Sequence, residues 1–148
     1  FQTVHRSPLV NNDLALVYSC TVRENGDSKG TILGVLGVIF KWESLSQTVI
    51  SHTPIGEEEK NSTRICIVDD DGLVLADSDN KMLKDSIKFD KKTSLFSEKR
   101  NYIFSDYGGI DCCLGHAQSP GFEGYSTGWH SIIIQKLGNV SKQKPNLK

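Results

Sequence analysis

Apolar residues in this chain come in short runs separated by turn residues. The clearest case, R-I-C-I-V-D-D-D-G-L-V-L-A-D over residues 64–77, sets two β-prone segments around an acidic turn ending in Asp71-Gly72. An Asp-Gly pair in that setting predicts a hairpin, because glycine takes positive φ without penalty and aspartate bonds its own backbone. Residues 1–13, with Pro8 and Asn11-Asn12-Asp13, read as a loop-like lead-in to a strand that begins near Leu14. Asn25-Gly26-Asp27 and Gly30 supply the next turn, and residues 31–40 return as a second strand. That run is apolar enough to predict a central strand covered on both faces, with something packed closely over Gly34 and Gly37.

Residues 42–50 place Trp42, Leu45, Val49 and Ile50 at i, i+3, i+7 and i+8, the spacing of a short amphipathic helix stopped before Pro54. The charged stretch 57–61 reads as a solvated loop. Over residues 79–99 the apolar positions Met82, Leu83, Ile87, Phe89, Leu95 and Phe96 are sparse, predicting short helical turns or a covering loop. Residues 102–105 and 110–117 read as strands joined through Asp106-Tyr107-Gly108-Gly109, and residues 129–137 as the last strand, after a Ser-, Pro- and Gly-rich link. Residues 138–148 read as a flexible tail or cut connector. This order predicts an α+β fold, an antiparallel sheet of about five to six strands with helices packed on one side.

Composition narrows the picture. With 148 residues, 37% of them hydrophobic, the chain can bury a core, and one domain over residues 1–137 is the expectation. A formal charge of -1 gives no general field for nucleic acid. Every apolar run is shorter than the roughly 20 residues a membrane-crossing helix needs. The chain starts at Phe1 with no charged-then-apolar leader, so it is expected to be an excised fragment or processed product whose anchor lies elsewhere. Cys20, Cys66, Cys112 and Cys113 show neither a disulfide framework nor a C-x-x-C zinc spacing.

Four segments resemble the Cache family, PAS-like extracytoplasmic sensor domains of bacterial chemoreceptors, sensor kinases and cyclic-dinucleotide enzymes. They are L-V-Y-S-C-T-V-R (16–23), G-T-I-L-G-V-L-G-V-I-F-K-W-E (30–43), R-I-C-I-V-D-D-D-G-L-V-L-A-D-S (64–78) and G-H-A-Q-S-P-G-F-E-G-Y-S-T-G-W-H-S-I-I-I-Q (115–135). Their order and spacing carry the likeness more than any one of them. Two departures stand out: the long N-terminal helix that leads such domains into the membrane is not visible, and neither is the aromatic-plus-arginine signature of amino-acid sensors. In two-module members a G-V-L-G-V strand with its helix closes the first unit and a D-x-D-G hairpin opens the second. The chain therefore reads as one unit, or as the end of one module plus most of the next.

Site chemistry is weighed residue by residue. Asp69, Asp70, Asp71, Asp77 and Asp79 suggest calcium, yet the series from Asp77 meets Lys81 and Met82 where an EF-hand loop needs ligands, so a solvated turn is expected and no metal site. Cys112 and His116 share parity on a strand but stand roughly 13 Å apart along it, which argues against a thiol–imidazole pair. Residues 118–128 lack nucleotide-loop spacing, and no G-x-S-x-G or H-E-x-x-H motif occurs. The sequons Asn61-Ser62-Thr63 and Asn139-Val140-Ser141 carry no weight in a bacterial reading.

The expectation is a non-enzymatic small-molecule sensor without cofactor, the periplasmic part of an inner-membrane signalling protein, with a homodimer compatible. Its ligand-facing polar groups are expected among Tyr18, Arg64, Asp77, His116, Tyr125 and Trp129, on or beside predicted strands. A ligand-free structural or dimerisation spacer is the alternative. A redox sensor or enzyme using Cys112 or Cys113 is the weaker one.

Overall fold

A computed structural model describes residues 2–88, 92–121 and 125–138. Phe89 and all but the first residue of the expected tail lie outside them. The chain divides into two compact units, residues 1–49 and 50–148.

The first unit is a three-stranded antiparallel sheet of β1 (Gln2–Arg6), β2 (Leu14–Arg23) and β3 (Ile32–Lys41), with β2 in the middle. The expected lead-in loop is irregular around Pro8 and Asn11-Asn12-Asp13, as expected, but its first part, residues 2–6, is a strand. Its composition hides this, since only Val4 of Q-T-V-H-R is buried and a polar edge strand looks like a loop. The hairpin joining β2 to β3 was legible: Asn25 and Gly26 both take positive φ, and Arg23 holds the turn by donating from Nη1 to the Gly30 carbonyl.

The second expectation to fail concerns β3, which is an edge strand and not a central one. Ile32, Leu33, Val35, Leu36, Val38, Ile39 and Phe40 stand exposed along it, and a Cβ built on Gly34 or Gly37 meets nothing. An unbroken apolar run reports apolar surface on both faces but not whether this chain supplies a cover.

The helix α1 (Trp42–Ser51) follows at once, as its periodicity predicts. Its buried line is Trp42, Ser46 and Ile50, at i, i+4 and i+8, while Leu45 and Val49 are exposed.

The second unit is a five-stranded antiparallel sheet built from β4 (Thr63–Val68), β5 (Val74–Asp77), β6 (Arg100–Tyr107), β7 (Ile110–Gln118) and β8 (His130–Lys136), in the order β5-β4-β8-β7-β6. This is the PAS-like α+β sheet expected from the sequence. At the β4–β5 turn Asp69 Oδ1 accepts the backbone N–H groups of Asp71 (3.0 Å) and Leu73 (2.9 Å), and Gly72 takes φ of 82°. The acidic run thus satisfies its own backbone. At the β6–β7 turn Gly108 and Gly109 both take positive φ, which a two-residue turn between twisted strands requires.

One face of this sheet is buried. Cys66, Val68, Val74, Cys112, Leu114, Ile132 and Ile134 form it, and it is covered by Ile87 and by Leu95 of the short helix α2 (Lys92–Leu95). Strand alternation decides which side chains join: β8 reads buried at His130, Ile132 and Ile134 and open between them. The same parity carries Arg64 and His116 into the interior.

Candidate functional site

Two polar networks sit on the buried face of the five-stranded sheet. In the first, Arg64 on β4 meets Asp77 at the end of β5 as a two-point pair, donating Nε–H to Oδ1 at 3.0 Å and Nη2–H to Oδ2 at 2.7 Å. Nη2 also donates to Asp85 Oδ2 at 3.0 Å, and Nη1 to the Tyr107 hydroxyl at 2.9 Å. Asp77, at 0% exposure, further accepts the backbone N–H groups of Asp79 (3.0 Å) and Lys81 (3.1 Å) and the Cys66 thiol at 3.5 Å.

Burial alone would raise the Asp77 carboxyl. The Arg64 hydrogen bonds and the two backbone donors outweigh it and hold the group below its ordinary value. The same pair, chiefly its hydrogen bonds, pushes the Arg64 guanidinium up. Burial, then the Asp77 charge, pushes the Cys66 thiol far up.

Beside this pair lies a cavity of about 450 Å³, walled by Lys60, Arg64, Asp79, Lys81, Tyr107 and Lys136, with Cys112 and Ile134 among its apolar lining. Lys60 is paired with Glu57, and Lys81 stands 3.9 Å from Asp79. With one Nη1–H of Arg64 still unspent in its network, the wall presents cationic donors and a single carboxylate to whatever enters.

The second network lies two strands away, around His116. Its Nε2 is 2.7 Å from Nδ1 of His130, whose Nε2 is 2.8 Å from Asp70 Oδ1 in the β4–β5 turn. Phe96 stacks on His130 with ring centres 4.6 Å apart and planes at 16°, and contacts His116 at 4.9 Å. His116 Nδ1 is buried without a partner. Burial, helped by the neighbouring His130, lowers the His116 pKa.

The turn before β8 is shaped to this network. Gly128 takes φ of 70°, and a Cβ there would lie 2.5 Å from Asp70 Oδ2. Gly128→Ala is therefore expected to destabilise the unit by at least about 1 kcal/mol and to dislodge Asp70 from His130. Urea unfolding measures the first effect, and the ring nitrogen shifts of His130 the second.

The structure thus brings Arg64 and Asp77 together and puts His116 into a separate network. Trp129 borders a different cavity of about 350 Å³ with Pro120, Arg100 and Ile67. Tyr125 is exposed on the link before β8. Tyr18 belongs to the first unit, edge-on to Phe40 with ring centres 6.1 Å apart. The sequence reading missed His130, Tyr107, Asp85 and Phe96, and weighed Asp70 only as a calcium ligand. His130 alone had a legible signal, its core-facing parity with Ile132 and Ile134.

Cys112 and Cys113 point to opposite faces, and burial raises both thiols, the reverse of what a nucleophile needs. His116 is engaged by His130 and not by a cysteine. Among the described residues no cluster of three or more metal-ligating side chains occurs.

No family model and no curated protein matches the chain. Solved structures do. The ligand-binding domain of a Campylobacter jejuni chemoreceptor in complex with L-valine superposes with a TM-score of 0.62 at 15% identity, covering 91% of this chain and 47% of that one. The ligand-binding domain of a Pseudomonas aeruginosa amino-acid chemoreceptor in complex with L-Arg gives 0.61 at 15% identity, covering 95% and 55%. The extracellular domain of a histidine kinase gives 0.56 at 14% identity, covering 91% and 54%. This chain therefore has the fold of these sensory domains and spans about half their length.

Proposed function

We propose that the chain is part of the extracytoplasmic sensory domain of a bacterial transmembrane signalling receptor, and that its five-stranded unit binds a small solute. The division into two compact units supports reading it as the end of one module followed by most of a second, in place of one sensor unit over residues 1–137. The observation that carries the binding proposal is the cavity beside Arg64. Its size falls in the range of small-molecule sites, and it joins an apolar lining to a few converging polar groups. Lys60, Lys81 and Lys136 favour a solute with a carboxylate or other anionic group, and Asp79 provides one acceptor for a donor on the same molecule. Signalling then requires that the solute bind one arrangement of the receptor more tightly than the other.

A spacer module without ligand is favoured by one observation: Arg64 and Asp77 direct most of their hydrogen bonds to one another and to their neighbours. Thermal shift against a panel of metabolites separates the two readings. A solute present at a hundredfold excess over its Kd stabilises the folded state by about 2.7 kcal/mol, enough to raise the melting temperature by several degrees. The expected result is a shift with at least one anionic solute that shrinks in Lys81→Gln and Lys136→Gln. No shift with any solute, together with dimerisation that ignores solute, would establish the spacer.

A further inference from the structure

The His116–His130–Asp70 chain has no part in the proposed solute site, and it connects solvent to the interior. Asp70 is an open carboxylate on the turn, with its side chain 72% exposed, while the His116 residue is 6% exposed. Between them stands His130, within hydrogen-bond distance of both.

The order of donors follows from the ends. Ionised Asp70 only accepts, so His130 donates Nε2–H to it and turns a bare Nδ1 toward His116. His116 must then donate Nε2–H, which leaves its own Nδ1 as a bare lone pair. That matches the buried Nδ1 without a partner. Two neutral rings thus satisfy every donor in the chain.

A proton added to this arrangement has no good place. Put on His130 Nδ1, it donates to His116 Nε2, and the hydrogen of His116 must move to Nδ1, where no acceptor waits. A second proton places N–H against N–H at a 2.7 Å contact, and the ring-to-ring bond breaks.

Among the described residues, no carboxylate besides Asp70 hydrogen-bonds to either ring. The turn also holds Asp69, whose Oδ1 is committed to the backbone of Asp71 and Leu73, and Asp71, which is exposed. On β6, Asn101 stands opposite His116 and gives its amide N–H to the Ser94 carbonyl. Phe96 covers both rings with an aromatic face.

We infer that this chain is a proton-sensing site, independent of the solute cavity, in which acidification breaks the His116–His130 bond and frees the His116 ring, while Asp70 keeps hold of His130. Its ligand is the proton itself, and its readout is the packing of Phe96 over the two rings.

The sign follows from linkage. His116 is held below the ordinary histidine value near 6.5, so between its folded value and 6.5 the unfolded chain takes up more protons. The stability from the neutral pair is complete above about 6.5 and fades as the pH falls below it.

The test is a titration of the whole chain from pH 8 to 4.5, following the His116 ring nitrogens and the Phe96 ring signals by NMR. At pH 8 both rings of the pair are expected as Nε2–H tautomers. His116 should take up its proton below 6.5, and the Phe96 ring signals should shift over the same interval. In His116→Phe, which keeps an aromatic ring beside Phe96, the Phe96 signals should no longer follow pH over that interval. A His116 ring that titrates at or above 6.5, or Phe96 signals unchanged while it titrates, would overturn the inference. If His116→Phe does not fold, the wild-type titration still decides it.

Discussion

Asp77→Ala is expected to destabilise the five-stranded unit by about 3 kcal/mol, the low end of the cost of removing one member of a buried ion pair, because Asp85 still faces Arg64. Arg64 would keep Asp85 and Tyr107 but lose both bonds of its two-point pair, and the Asp79 and Lys81 backbone donors would lose their acceptor. Urea denaturation followed by far-UV circular dichroism gives the number. A loss under about 1 kcal/mol would mean that the pair behaves as a solvated surface bridge. Replacing both partners with leucine should cost less than Asp77→Ala alone, because no buried charge is then left over.

The pair also fixes a pH dependence opposite in origin to that of His116. Asp77 is a carboxyl lowered from 3.8, so its contribution is complete above that value and disappears as the pH falls through the folded one. Asp77→Asn should flatten the acid limb of the stability curve below about pH 4 while leaving the histidine limb in place.

Leu114→Ala is expected to cost about 2–5 kcal/mol, the range for removing a large aliphatic side chain from a packed interior. Leu114 is fully buried at the centre of β7, with Ile134 on β8 and Ile103 on β6 as its register partners. Truncation removes contacts on both sides at once, and the strands cannot close the gap without breaking their ladders. Amide exchange should show protection falling across β7 and β8 together, since both lean on the same layer. An effect confined to the immediate neighbours of Leu114 would show that this layer does not unfold as a unit.

What was legible in the sequence was local. Asp71-Gly72 announced its hairpin because the turn chemistry lies within four residues of the pairing it creates. The β6–β7 hairpin, with Gly108-Gly109 at its tip, and the helix at Trp42 were readable for the same reason. β1 was not, because a short polar strand is defined by its partner β2 and not by its own composition. β3 was found but misplaced, because apolar content states what a surface needs and not what it meets.

The candidate sites divide in the same way. Arg64 and Asp77 were picked out separately, each as a polar residue on a strand, but their partnership depends on the hairpin being folded. His116 was picked out without its partner. Its link to His130 depends on the β7–β8 register, where Gln118 pairs with His130 and His116 with Ile132, and no local signal sets that register across the intervening link. Asp70 and Phe96 reach the same place from further still. Parity says which face a residue joins, and only topology says whom it finds there.

β3 has a practical consequence for all of these measurements. Ten residues of strand, apolar on both sides and with Lys41 at one end as their only charge, keep one row of amides and carbonyls beyond the ladder to β2. Such a rim is a template for cross-β growth: a second molecule can add its own strand there. Self-association through residues 32–41 is therefore expected to rise with protein concentration. A charged residue in place of Val35 or Val38 would guard that rim while leaving the five-stranded interior as it is.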